Sequence, residues 1–377
     1  MNRTMLIKTR RDMRRRFAQF AAIAAVVMVG VVLFVASYDA YRNLETSYDR
    51  TYDRLNFADL TATGADPERL AEAARDAEGV AAVATRTQAD LPLHVDDDKL
   101  VGRVAGMPAD AAPDVNRVDV VEGDGLDPAD PDGVLVEKHT AETFGLSPGD
   151  TLEVFDGAQW RTLTVRGVAV SAEYLWPTLS RQEALVDPRS FAVVFAAQSA
   201  VDEYAGPQAS EQTAVLLDED ARDGDAEDRV AEILRDNGAD DVVPRVDQAS
   251  NATLADDVEG FEQLAVTFPA LFLAAAGIAA YVLITRLVRS ERKIIATFLA
   301  SGAARGAMVR HYLGHGVVAG AIGGVLGVLL GAVATAAVTR AYTGALDIPD
   351  TVVENRPGVI AAGLGFGVAV GLFGALA

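Results

Sequence analysis

The chain contains no cysteine, so no disulfide can brace it, and thiol nucleophiles and thiolate metal sites are excluded. Lysine is nearly missing as well: four lysines accompany 29 arginines in 377 residues. No Walker A pattern occurs, so the chain should not hydrolyse nucleotide itself, and ATP-driven work would need a partner. Histidine is confined to four positions. His94 and His139 read as isolated. His311 and His315 lie four apart on one helical face, but with no carboxylate nearby in sequence they fit a membrane boundary better than a metal site. The acidic run Asp218 to Asp228 fails as a calcium loop, because placing Gly224 sixth puts Ala221 third and Val230 twelfth, where oxygen ligands are needed. It reads as a solvated loop. With no nucleophile, base and orienter in view, no catalytic residue, no metal site and no cofactor of its own are expected, and no nucleic-acid partner.

Charge is present, and unevenly placed. The net charge is −21; residues 39 to 260 hold 18 basic against 48 acidic residues, whereas residues 1 to 16 hold seven against one and residues 286 to 310 six against one. The two basic flanks are expected in the cytoplasm by the positive-inside bias, which places the acidic bulk on the outer side of a cell membrane. Four apolar runs separate these regions, at residues 17–38, 262–285, 312–338 and 357–377. Each is long enough to cross a ~30 Å hydrocarbon core at ~1.5 Å per residue. The first run competes with a signal peptide, but it exceeds the h-region length and no small-x-small cleavage site follows. Residues 339–356 then form a short external loop. The last run reaches Ala377 without closing basic residues, which suggests a truncated chain. The acidity itself suits a surface in concentrated salt, where self-repulsion is screened.

The expected fold is therefore a membrane protein with four transmembrane α-helices and a large extracytoplasmic α+β domain, residues 39–261, inserted between helices 1 and 2. Stalk helices are expected at 38–55 and 250–261. Tyr41, Leu44, Tyr48, Tyr52 and Leu55 recur at steps of three and four, and so do Leu254, Val258 and Phe261. The two stripes invite antiparallel pairing, Tyr48 near Leu254 and Tyr41 near Val258 or Phe261; the alternative is that each packs separately on the domain core. Between them, strands are expected at 57–63, 91–95, 100–106, 133–136, 151–155, 162–170 and 213–217, and helices at 66–77, 138–144, 191–204 and 226–237. The order is not a regular βα alternation, which favours α+β.

The later spans are rich in spaced glycines. Gly316, Gly320 and Gly324, then Gly323, Gly327 and Gly331, form overlapping small-xxx-small rows, and Gly363, Gly367 and Gly371 repeat the spacing. Such rows let helix backbones approach closely. No span carries an acid or base in its middle, so a polar-substrate pathway of the ion-coupled kind is not expected. Between the second and third spans, residues 286–311 form a basic loop whose short helix gathers Ile294, Ile295, Phe298 and Leu299 on one side. That face needs lipid or a protein partner.

The segment ERKIIATFLASGAAR, Glu291 to Arg305, resembles the coupling segment of FtsX-like and MacB-like ABC transporter permeases, whose usual form is close to ERRREIGxLKALGAS. GVLVEKHTAETFGLSPGDTLEV, Gly133 to Val154, looks like that family's external-core segment, and VAVSAEYLWP, Val168 to Pro177, is similar to a SPEY-like element of long members. The family's acid and glycine of EIG fall on Ile294 and Ala296 and its lysine on Leu299; Gly302 and Ala303 keep the GA pair, and Ala172 replaces the proline of SPEY. The resemblance implies a mechanotransmission permease. A separate cytoplasmic ATPase, holding ATP and magnesium, would act on Glu291, Arg292, Lys293, Ile295, Phe298, Leu299 and Gly302. It further implies a homo- or heterodimer among membrane lipids, with an extracytoplasmic protein or lipoprotein as a further partner. A membrane-anchored sensor or ligand-binding protein is the competing class, and an external hydrolase the weakest.

Overall fold

The computed structural model describes residues 17–178, 187–222, 224–302 and 304–375, with the side chains of Leu287, Phe298, Ala307 and Tyr312 left out. The basic N-terminus expected at 1–16, Ala303 of the GA pair and the last two residues lie outside the described residues. The chain divides into two compact units: residues 1–47, 258–345 and 351–377 in one, residues 48–257 and 346–350 in the other.

The second unit is built on one ten-stranded sheet. Its elements are β1 Leu60–Gly64, α2 Pro67–Arg75, β2 Val80–Val95, β3 Asp98–Met107, β4 Val118–Gly123, β5 Gly133–Glu137, α3 Lys138–Phe144, β6 Thr151–Phe155, β7 Trp160–Ser171, β8 Phe191–Ala197, α4 Gln198–Tyr204, β9 Ser210–Leu217, α5 Glu219–Arg222, α6 Ala226–Asp236 and β10 Ala239–Pro244. The strands run in the order β10-β1-β9-β2-β3-β8-β5-β7-β4, and β6 pairs with both β2 and β7.

β2 belongs to two substructures. Its first half, Val80 to Gln88, pairs antiparallel with β9. Together with β1, β10, α2 and α6 this gives a β-α-β-β-α-β arrangement, the split βαβ pattern, with both helices packed on one face. Leu60, Leu70, Val215, Leu217, Val230 and Leu234 are its buried core. The second half of β2, Gln88 to Val95, pairs with β3 and, at Leu93 and His94, with β6. Since β3 pairs β8, β8 pairs β5, β5 pairs β7 and β7 pairs β6, those six strands close a ring. Closure leaves no free edge within the ring and hides one face of every strand. Leu91, Leu93, Val104, Val136, Val154, Leu163 and Val194 fill it.

Three expectations need correction. Residues 191–204 are not one helix: Phe191–Ala197 is a strand buried along its whole length, and the helix begins only at Gln198. A strand covered on both faces loses its two-residue alternation and reads like a buried helical run, although the FAVVF composition favours a strand. The strand expected at 91–95 begins eleven residues earlier, at Val80, and β4 and β10 were not anticipated at all. The run 218–228 is not simply a loop, because Glu219–Arg222 forms a helical turn and α6 starts at Ala226.

Local signals set several boundaries as read. Asp66 caps α2, accepting from the Arg69 N–H at 3.0 Å, and Pro67 occupies its first turn. Glu137 caps α3 through the N–H groups of His139 at 2.8 Å and Thr140 at 3.2 Å; Gly145 ends that helix at φ +69°.

The first unit is helical. Its elements are α1 Phe17–Arg54, α7 Ala249–Ala300, α8 Arg305–Ala345 and α9 Pro357–Ala375, the first two shared in sequence with the other unit. All four contain a stretch long and apolar enough to cross a membrane. α7 is unbroken over 52 residues despite Pro269. The short helix expected inside a loop at 286–311 is therefore the end of α7. Only residues 301 to 304 separate it from α8. Gly302, at φ +91°, ends α7 in the left-handed conformation that glycine adopts without a Cβ clash.

Candidate functional site

Within the helical unit the glycine rows define two seams. Gly316, Gly320 and Gly324 face α9: a Cβ on Gly316 would overlap the carbonyl oxygen of Gly371, and one on Gly320 that of Gly367. Gly323, Gly327 and Gly331 face α1 instead, each against one valine: Val27, Val31 and Val35 in turn. Three residues of offset turn a helix by ~300°, so the rows lie roughly 60° apart around α8. Gly363 of α9 meets Val31, Val35 and Val328, and Gly367 closes on the backbone of Gly324. The sequence spacing announces close approach but not which neighbour each row meets. Val27, Val31 and Val35 are wholly buried, as the mates of Gly323, Gly327 and Gly331 must be.

A second feature went unread in the sequence. Asp39, Asn43 and Ser47 of α1 are fully buried at four-residue steps. They bind the extended stretch between α8 and α9. The Val352 N–H donates to the Ser47 hydroxyl at 2.9 Å, and the Asn43 amide donates to the Glu354 carbonyl at 3.0 Å. The Arg356 guanidinium donates to Asn43 Oδ1 at 2.7 Å and to the Arg42 carbonyl at 3.0 Å. Its backbone N–H reaches Asp39 Oδ1 at 3.4 Å. A polar i, i+4 column beside an apolar stripe was the available signal. Residues 346–350, in the other unit, are held by Lys138 on Asp347 and by Arg54 on Asp350 at 2.7 Å.

The stalk residues fall on α1 and α7. Tyr41, Leu44, Tyr48, Tyr52 and Leu254 are buried, while Val258 and Phe261 are half-buried. The Tyr52 hydroxyl donates to Asn251 Oδ1 at 2.8 Å in the sheet-bearing unit. In the helical unit Phe261 stacks on Tyr342 at 5.2 Å. Continued antiparallel from the Tyr52–Asn251 contact, the expected pairing would set Tyr48 opposite Ala255 and beside Leu254, and this register has a direct test. With no native cysteine as background, a Tyr48→Cys/Leu254→Cys variant should give an intramolecular crosslink with a short bis-maleimide, visible as a gel shift. Absence of that product under every condition tested would rule the register out.

At the far end of α7, Arg292 and Lys293 are exposed, Ile294 and Leu299 are exposed apolar groups, and Ile295 packs on the core of the helical unit. Glu291 is buried. The Phe298 side chain lies outside the described residues. The exposed pair leaves an apolar surface beside two cations on a helix end.

The histidines are less solitary than expected. His94 Nδ1 lies 3.0 Å from Glu153, and His139 Nδ1 lies 3.0 Å from Glu137. Burial opposes charge on His139, but Glu137, Asp347 and Glu142 outweigh it and raise its pKa above the ordinary histidine value. His315 stacks on Phe20, and its Nδ1 hydrogen-bonds the His311 carbonyl at 2.8 Å. Among the described residues no group of three histidine or acidic side chains is placed to hold a metal ion.

Residues 266–377 match the family model described as the FtsX-like permease C-terminal region. Among solved structures, the extracellular domain of the noncanonic ABC-type transporter YknZ from Gram-positive bacteria aligns at 16% identity with a TM-score of 0.32. The alignment covers 48% of this chain and 93% of that one. A domain assigned to a permease protein of Porphyromonas gingivalis aligns at 16% identity and a TM-score of 0.26, covering 48% and 77%. No curated protein matches the chain.

Proposed function

We propose that this chain is an FtsX/MacB-like permease, the membrane subunit of an ABC transporter that converts ATP hydrolysis by a separate cytoplasmic ATPase into movement of its sheet-bearing unit; the match of residues 266–377 to the FtsX-like permease C-terminal model supports the reading. The observation that carries the reading is α7. One helix begins beside the sheet at Ala249, contains an apolar stretch of membrane-spanning length, and ends at Ala300 in a basic segment with an exposed apolar surface. A continuous helix transmits a displacement along its axis because every turn is hydrogen-bonded to the next. The basic ends 1–16 and 286–310 lie on the cytoplasmic side in this reading, and the acidic sheet-bearing unit lies outside.

The partner ATPase engages the helix end Glu291–Gly302, with Leu299 and Phe298 as apolar contacts and Arg292 and Lys293 as cationic ones. Catalysis of hydrolysis, with its ATP and magnesium, belongs to that partner. The permeases pair as homo- or heterodimers, and the outer unit acts on a lipoprotein, peptide or amphiphile, or on an envelope enzyme. Replacing Phe298 and Leu299 together by aspartate should abolish copurification of a Walker A-bearing protein and leave membrane insertion intact. Each charge would have to be desolvated in an apolar contact, which costs several kcal/mol, roughly the strength of a weak docking interface. Unchanged copurification would refute the assignment.

A further inference from the structure

Titratable groups crowd around α3. Glu137, Lys138, His139 and Glu142 belong to that helix and its cap, and Asp347, from the connection between α8 and α9, joins them within the sheet-bearing unit. Lys138 pairs with Asp347, and its Nζ also lies 3.7 Å from Glu142. Glu137 is fully buried, and its Oε1 is 3.0 Å from His139 Nδ1. A carboxylate only accepts, so Nδ1 keeps its proton and Nε2 is the nitrogen that titrates. The His139 side chain is 25% exposed and lines a cavity of about 350 Å³, so solvent protons can reach it.

Asp347 is the movable member. It is the one carboxylate of the cluster that is not on α3 or its cap, and it sits at φ +52°, a left-handed conformation that a residue with a side chain keeps only where its surroundings hold it. Burial opposes charge on Asp347, but Lys138 outweighs burial and holds the carboxyl below the ordinary aspartate range, so it stays an anion around neutral pH. Other charges nearby are already committed: Arg189, over the Phe144 ring, pairs with Asp98, and Asp350 pairs with Arg54. Among the described residues, Trp176, Pro177, Pro188 and Phe191 complete the cavity wall beside His139 and carry no charge.

With a proton on His139, two cations face the three carboxylates Glu137, Glu142 and Asp347; without it, Lys138 faces all three alone. The repulsion then falls on Asp347, in surroundings that screen it less than water would. Burial works against charge on His139, yet Glu137, Asp347 and Glu142 together raise its pKa above the ordinary 6.5. A group whose pKa is raised by folding contributes a hold that is complete below the ordinary value and is lost as the pH rises through the higher folded one.

We propose that His139 is a pH-sensitive catch on the connection between α8 and α9: with its proton it helps Lys138 keep Asp347 against α3, and without it residues 346–350 open more readily. The assignment rests on this cluster and holds whether or not the chain couples to an ATPase. The test uses the full chain in detergent. Ile348, beside Asp347, is 5% exposed, so a cysteine there reports opening. The maleimide-labelling rate of Ile348→Cys, divided by that of the exposed Ala129→Cys to remove the thiol's own pH dependence, should rise about threefold or more between about pH 6 and about pH 8.5. Adding His139→Gln should abolish the rise. Linkage is reciprocal, so Asp347→Asn should lower the NMR titration midpoint of His139 by about half a pH unit, which equals that threefold change. A labelling ratio that does not respond to pH overturns the proposal. So does a rise that persists with His139→Gln, or a midpoint that Asp347→Asn leaves in place. If Ile348→Cys does not fold, the titration decides alone.

Discussion

Replacing Gly320 with leucine should be among the most damaging single changes in the chain, because its Cβ would fall on the Gly367 carbonyl oxygen and within 3.1 Å of the Gly371 Cα. Backbone atoms cannot move aside as the end of a flexible side chain can, so α8 and α9 must separate. Overpacking of a well-filled interface costs about 3 kcal/mol, near the upper end of what is usual, and separation also forfeits the dispersion contacts along the seam. Helix propensity works the other way, since leucine is better than glycine by ~0.5 to 1 kcal/mol, and it is the smaller effect. Gly365→Leu on α9 and Gly314→Leu on α8 are the controls: a Cβ at either meets nothing within 4 Å. Heat challenge in mild detergent followed by size-exclusion chromatography should show Gly320→Leu lost from the monodisperse peak well below the parent temperature. Both controls should stay within a few degrees of the parent. A Gly320→Leu protein as heat-stable as the controls would mean that the seam between α8 and α9 is not formed.

Glu173→Ala should be comparably severe in the sheet-bearing unit. The Arg86 and Glu173 side chains are 10% and 8% exposed, so neither charge has bulk water to fall back on. Removing the carboxylate leaves the guanidinium with Gln212 alone, a neutral acceptor. Breaking one side of a buried ion pair costs about 3 to 5 kcal/mol, mostly because the surviving charge remains desolvated. Two further outcomes separate this cause from simple loss of packing. Replacing both residues, Arg86→Met with Glu173→Leu, should recover most of the loss, because no charge is then stranded. Raising the salt concentration should not rescue the single variant, since a buried charge is poorly screened. Denaturant unfolding of the full chain in detergent, with the sheet followed by far-ultraviolet dichroism, measures all three. A single variant less than ~1 kcal/mol below the parent would show that the pair is solvated in practice.

The parts of the architecture legible in the sequence are those with a long or strongly local signal. An apolar run of roughly twenty residues is longer than a core helix of a water-soluble domain needs, and the four candidate membrane helices hold the four such runs, the last as far as Ala375 among the described residues. Strands such as Gly133–Glu137 and Thr151–Phe155 are bounded by glycine, proline and aspartate turns that punctuate the chain. What failed depended on partners distant in sequence. β8 is flanked by β3 and β5 and covered on both faces, with Val194 in the ring interior and Phe195 packed in a second cluster with Tyr174, and nothing in FAVVFAA distinguishes that from the interior of a helix except its β-branched and aromatic content. The first half of β2, VAAVATRTQ, lacks alternation because Ala82 to Ala84 are all half-buried and the neighbours Arg86 and Thr87 are both buried.

The candidate site divides the same way. Glycine spacing is a property of one helix and can be read from it. That Gly320 meets α9 and Gly327 meets α1 depends on three helices at once. The polar column Asp39, Asn43 and Ser47 was legible in principle, but the tyrosines on the same helix gave the louder periodicity.

The 60° offset between the two glycine rows gives α8 a right side and a wrong side. Leu329, Leu330 and Val333 are 61%, 51% and 72% exposed, whereas the rows are pressed against α1 and α9. A shaft keyed in two adjacent slots cannot spin or slip in one without jamming in the other. α1, α8 and α9 are thereby packed as one block, and turning α8 against either neighbour would drive a glycine-lined face off its mate.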